Sequence, residues 1–197
     1  MPFRSIMARL IVLTMALSLA GCGLNSVPTA EETAKARWAD VQNEYQRRAD
    51  LVPNLVATVK GFAAQEKSVL IGVTEARAKA TSIQVSADDL TDPAKVQQFG
   101  AAQGELSQAL GRLLSVTENY PDLKSNTNFL ALQSQLEGTE NRIATERRKY
   151  NEAVQSYNTL VRTFPSSIGA KVFYGAKPMA PFEATTPNAQ TAPTVNF

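Results

Sequence analysis

The sequence predicts an all-α protein, an up-and-down antiparallel bundle of three to four long helices with a flexible carboxy-terminal tail. Three observations lead there. Apolar residues recur every three to four positions over long stretches, the period of a helix with one buried face. No alternating β-rich run bounded by hairpin turn residues is present. Pro93, Pro121 and Pro165 cut the chain into pieces of helical length. At 197 residues the chain suffices for one ordinary domain.

The amino end reads as an address. Arg4 and Arg9 precede an apolar run, Leu10 to Ala20. A span needs about 20 apolar residues, so this run suits an export signal over residues 1–21 rather than a membrane-crossing anchor. The chain's one cysteine follows at once, in Leu19-Ala20-Gly21-Cys22. That arrangement resembles a bacterial lipobox, which implies a cut before Cys22 and acyl chains on its sulfur and new amino terminus. Each buried methylene contributes about 0.8 kcal/mol, so several chains hold where one would not. Gly23 in place of an acidic residue points to the outer membrane if the cell has two. Losing Arg4 and Arg9 leaves the 20 basic residues at 18, matching the 18 acidic ones.

Residues 22–28 then form the lipidated cysteine and a polar tether closed by Pro28, and the bundle is expected over 29–175. Its first stretch, about Thr29 to Thr81, carries a stripe of Trp38, Val41, Tyr45, Ala49 and Val52 continued by Val56, Val59 and Phe62. Pro53 either bends one long helix or opens a second one capped by Asp50. The bent single helix is the favoured expectation. Residues 82–92 connect. Asp92-Pro93 is an N-cap followed by a first-turn proline and starts the second helix, to about Tyr120. On it Gly100, Gly104 and Gly111 share a narrow stripe. Each interior glycine costs about 1 kcal/mol, so the stripe predicts close approach of a neighbouring helix of the bundle or of a partner. The third helix runs from about Thr127 to Phe164 on a seam that includes Phe129, Leu136, Ile143, Tyr150, Val154 and Tyr157. Val172-Phe173-Tyr174 is expected to cover the bundle end. Residues 176–197, rich in Pro and Thr, read as a flexible tail.

The composition excludes whole classes of chemistry. There is no histidine. Ser-His-Asp triads, imidazole bases, ordinary zinc sites and Glu-x-x-His carboxylate metal sites therefore lack their parts. The charge balance gives no basic surplus for phosphate recognition, so no nucleic-acid partner is expected. No catalytic, cofactor or metal residue is assigned.

Two segments are recognisable. One holds Ala36-Arg37-Trp38-Ala39, Gln46-Arg47-Arg48-Ala49-Asp50-Leu51-Val52-Pro53-Asn54-Leu55, Val59-Lys60-Gly61-Phe62 and Thr74-Glu75-Ala76-Arg77. The other holds Leu123-Lys124-Ser125-Asn126, Thr139-Glu140-Asn141-Arg142-Ile143-Ala144, Arg147, Tyr150-Asn151, Tyr157-Asn158 and Phe164-Pro165. Together they resemble the LemA family. The resemblance implies long antiparallel helices facing outward from a bacterial membrane, and no agreed enzyme activity. Members usually carry an amino-terminal membrane-spanning helix, which this chain replaces with the lipobox-like segment.

If the first and third helices are antiparallel neighbours, Arg47, Arg48 and Asp50 meet Glu140, Arg142 and Arg147 near one level. They then form a structural polar network or a partner site. Tyr150-Asn151 and Tyr157-Asn158, seven residues apart, put both tyrosines on one face, expected as core rings with polar tips. The functional expectation is a lipid-anchored envelope protein, non-catalytic, serving as an interaction or scaffolding module. Its partners would be the membrane, through lipids on Cys22, and an envelope protein. The alternatives are an accessory subunit or carboxylate-dependent enzyme of envelope metabolism, or a peptide or small-ligand sensor.

Overall fold

A computed structural model describes residues 25–183. The expected signal at 1–21, Cys22 and the tail beyond Glu183 lie outside the described residues. Within them the chain is helical. α1 spans Ser26–Phe62, α2 Lys67–Ser82, and a 3-10 turn Asp88–Thr91. α3 spans Pro93–Thr117, the single turn α4 Pro121–Lys124, α5 Thr127–Arg162 and α6 Ser166–Phe173.

Local chemistry starts two of the long helices where expected. The Asp92 carboxylate accepts from the Ala94 amide at 3.0 Å, with Pro93 in the first turn of α3. The Asn126 side chain accepts from the amides of Asn128 and Phe129 at the start of α5. Both caps satisfy amides that have no intrahelical partner.

The first stretch departs from expectation. α1 begins at Ser26, and Val27 is already buried. Pro28 therefore lies in the first helical turn, where its missing amide proton costs nothing, and does not close a tether. α1 continues through Pro53 and stops at Phe62, so the single helix to Thr81 is two helices. The reversal falls at 63–66, among residues that favour helices. It is held from elsewhere: Tyr120 donates to Glu66 at 2.7 Å and accepts from Gln65 at 3.0 Å.

The long helices pair as α1 with α5 and α2 with α3. Partners along α1 and α5 run in opposite directions: Trp38 meets Tyr150, Glu44 meets Arg142, and Arg48 meets Glu140. Two apolar clusters stack along this axis. One holds Val27, Trp38, Tyr45, Phe99, Tyr150 and Tyr157. The other holds Val52, Val59, Leu106, Leu113, Leu123 and Phe129. Arg48 lies between them in sequence on α1.

The chain's end is also unlike its expectation. Gly175, at φ 58°, turns the backbone after α6, a conformation glycine adopts without strain. The Ala176 amide donates back to the Ala170 carbonyl at 3.0 Å. Residues 176–183 then form a strap over the core, in which Met179, Ala180 and Phe182 are buried. Val172, Phe173 and Tyr174 do not cover the bundle end, since all three are exposed.

Candidate interaction site

Three of the six expected polar residues, Arg48, Glu140 and Arg142, pair across α1 and α5, and not as one group. Arg48 is 1% exposed. Its guanidinium reaches two other helices from α1. It donates to Glu140 on α5 at 2.9 Å, to the Ser107 hydroxyl on α3 at 2.6 Å, and to the carbonyl and side-chain oxygens of Gln103 at 3.0 and 2.7 Å. It also lies 5.0 Å from the Tyr45 ring centre. α1 and α3 are not closely paired backbones, and this side chain helps to fasten the α1–α5 pair to the α2–α3 pair. A planar group with five donors suits that task where an ammonium would not.

Arg142 pairs separately, with Glu44 at 2.9 Å, and donates to Thr139 at 2.9 Å. Glu44 was absent from the sequence candidates. Its position, one turn before Arg48 on α1, is the signal that marks it. Arg147 belongs to neither pair. It stacks 4.2 Å over the Phe182 ring and donates to the Glu183 carbonyl at 3.0 Å. Asp50 accepts from Gln46 one turn back at 2.8 Å, and Arg47 is exposed, with no ion pair to a described residue. These two stay outside the network.

The three glycines of the stripe differ in burial. Gly100 is buried and Gly104 half-buried. Gly111 faces open space, where an added methyl would meet nothing within 4 Å, so close approach does not extend to it.

The tyrosine–asparagine repeat does something the sequence reading missed. Asn158 donates to the Met179 carbonyl and accepts from the Met179 amide, both at 2.8 Å. Asn151 does the same for Phe182, at 2.9 and 2.7 Å. Two turns apart on α5, these amides act as peptide mimics and grip the strap backbone as a neighbouring strand would. Tyr150 donates to the Ala180 carbonyl between them at 2.8 Å, and the Ala180 amide donates to the Leu90 carbonyl at 2.8 Å. Pro178 and Pro181 occupy the positions with no amide proton to satisfy. The strap delivers Phe182 into an aromatic cluster, with ring centres 6.2 Å from Trp38 and Tyr45 and 6.3 Å from Phe99.

This enclosure shifts the phenols. Burial pushes Tyr150 well above its ordinary value. Burial raises Tyr45 too, opposed by Arg147 and Arg48. Burial also raises Tyr157. Near them an open cleft of about 280 Å³ is lined by Gln42, Tyr45, Gln46, Gln84, Phe99 and Gln103 among others. Among the described residues no group of three or more His, Cys, Asp or Glu is placed to hold a metal, and no helix is long and apolar enough to cross a membrane.

Known proteins match this chain over most of its length. Magnetosome protein MamQ 2 of Paramagnetospirillum magneticum is 28% identical over 157 residues, 72% of this chain and 58% of that protein. Magnetosome protein MamQ of Magnetospirillum gryphiswaldense is 27% identical over the same extent. Protein LemA of Metamycoplasma hominis is 28% identical over 121 residues, 61% of this chain and 51% of that protein. The match thus spans only half to three-fifths of these relatives' own lengths. The LemA family model matches residues 37–197, which include the Arg48 tie, both asparagine grips and the strap they hold; the chain belongs to the LemA family.

Proposed function

We propose that this protein is a lipid-anchored component of the bacterial envelope whose helical bundle is a non-catalytic interaction or scaffolding module. The anchor rests on one observation, the lone cysteine in Leu19-Ala20-Gly21-Cys22 directly after an apolar run. The scaffolding role is supported by how the polar groups are spent. Arg48, the most enclosed cation, bonds to Ser107, Gln103 and Glu140, all within the chain, and the asparagine grips bind the chain's own strap. Such an arrangement builds a rigid body and leaves function to its surface.

Replacing Cys22 by Ser is expected to release the protein from membranes into the soluble fraction; a variant that stays with the membrane overturns lipid anchoring. Crosslinking in intact cells is expected to capture one recurrent envelope protein, and a pattern of random neighbours overturns the scaffolding role. The glutamine-lined cleft favours a second reading, a sensor of a small polar ligand, because primary amides both donate and accept. Envelope peptides and sugar fragments that leave the melting temperature unchanged would remove it.

A further inference from the structure

α6 is built inside out. Gly169 and Ala170, its small residues, face the bundle. Its large ones face away: Ile168 and Val172 sit one turn apart at 57% and 69% exposure, with Phe173 at 68%. Phe164 just before the helix is 80% exposed, and Tyr174 just after it is half-exposed. A helix serving only its own core would show the reverse pattern. Apolar area gathered this way marks a docking face.

Its place in the fold indicates what covers it. In the α1–α5 register Trp38 meets Tyr150. Twelve residues back from Trp38 is Ser26, and twelve on from Tyr150 is Arg162. The start of α1 and the end of α5 therefore lie at one end of the bundle. α6 touches both helices there, with Ala170 in the same cluster as Val27. The proposed anchor, Cys22, lies three residues before Asn25. Extended chain spans about 3.5 Å per residue, so Asn25 stands no more than roughly 11 Å from it.

Charge agrees. From Ala153 to Phe182 there are three cations, Arg162, Lys171 and Lys177, all exposed, and no carboxylate. The acids at the start of α1, Glu31 and Glu32, both pair with Lys35. Exposed apolar bulk on a stretch whose charges are all cationic suits an anionic lipid surface. A two-fold contact with a second copy would set these cations against their own images.

We infer that the α6 face, Phe164, Ile168, Val172 and Phe173, lies in the surface of the bilayer to which the amino-terminal segment ties the chain, fixing the orientation of the bundle on the membrane. The inference rests on the anchoring proposed above.

The test uses the full chain bearing Val172→Cys, labelled with an environment-sensitive dye. The protein is reconstituted in vesicles of phosphatidylethanolamine and phosphatidylglycerol, with and without nitroxide-bearing lipid. A Glu118→Cys chain, labelled at the far end of α3, is the control, and the unsubstituted chain reports any dye taken by Cys22. The expected result is blue-shifted emission quenched by the nitroxide lipid at 172, and water-like, unquenched emission at 118. Water-like emission at 172 from protein that floats with the vesicles overturns the inference and leaves the anchor standing. Blue-shifted but unquenched emission overturns it in favour of a protein contact. Protein that does not float, or a Cys22 that takes the dye, fails the anchor instead.

Discussion

Pro53 removes one amide proton from the middle of α1, which leaves the Ala49 carbonyl, four residues back, without its helical donor. Arg77 of α2 supplies the replacement, donating its Nε–H to that carbonyl at 2.7 Å. The proline thus does not divide the helix; it creates a socket into which the next helix is plugged. A double-mutant cycle reads this directly. Arg77→Met is expected to cost about 1–3 kcal/mol of unfolding free energy, the penalty of an orphaned buried acceptor. In a Pro53→Ala background, where the substituted residue regains an amide proton to donate, most of that cost should vanish. Equal costs in both backgrounds would show that Arg77 acts elsewhere. Arg48 obeys a different logic, because it is buried while Glu140 is 42% exposed. Truncating Arg48 to Ala leaves the Gln103 side-chain oxygen and the Ser107 hydroxyl oxygen without this donor and opens a gap between helix pairs. A loss near ~3 kcal/mol is expected from denaturant melts, at the low end for breaking a buried pair because water still reaches Glu140. Arg48→Lys should recover only part of it, since one ammonium cannot hold Ser107, Gln103 and Glu140 at once.

At the scale of elements, the strap is the piece whose stability is most separable. It has no ladder of its own and hangs on the Asn151 and Asn158 side chains, on Tyr150 and on the buried Phe182 ring. Asn151→Ala with Asn158→Ala removes four hydrogen bonds. At about 0.5–1.5 kcal/mol each, that loss is a large share of what holds so short a segment. The expected outcome is fast hydrogen exchange at Met179, Ala180 and Phe182 while α5 stays protected. Strap amides that remain slow in the double variant would mean that Phe182 packing and the bonds of Ala180 to Tyr150 and Leu90 hold it without the asparagines. The same contrast explains what the sequence disclosed. α3 and α5 were legible because Asp92-Pro93 and Asn126 write their own start signals. The break at Ala63–Glu66 was not, because Ala, Ala, Gln and Glu carry no turn chemistry and the apolar period runs on through Ala63. Its side-chain hold comes from Tyr120, more than fifty residues away. The strap was hidden for a related reason: proline-rich extended chain has no period to detect, and its partners are single amides on a distant helix. The Arg48–Glu140 register was readable from an antiparallel arrangement. The threefold reach of Arg48 was not, because it depends on α3 lying within one side chain's length.

For the whole molecule, the uneven distribution of tyrosines makes alkaline stability a property of one end. Of the five tyrosines, Tyr45, Tyr150 and Tyr157 all sit in the cluster around Trp38, and burial is the leading cause that raises each of them above the ordinary 10.0. Unfolded chain ionises these phenols near pH ~10, whereas folded chain resists. The stability they provide is therefore fully present below about pH 10 and is lost progressively as pH rises above it. Tyr120 is also raised, chiefly by its bond to Glu66, but it lies at the far end. The expected titration is thus uneven. Tyrosinate absorbance should show an early exposed class and then a late class that appears only together with loss of helical circular dichroism. Strap amides should lose protection before those around Leu113, because an ionised Tyr150 can no longer donate to Ala180. Tyr150→Phe removes that ionisation and keeps the ring. It should lower stability by about 1 kcal/mol at neutral pH, for the lost hydrogen bond, and flatten the alkaline decline. A wild-type chain whose tyrosines all ionise near pH ~10 with its helices intact would show that the aromatic end is open to water, and with it that the strap does not seal the bundle.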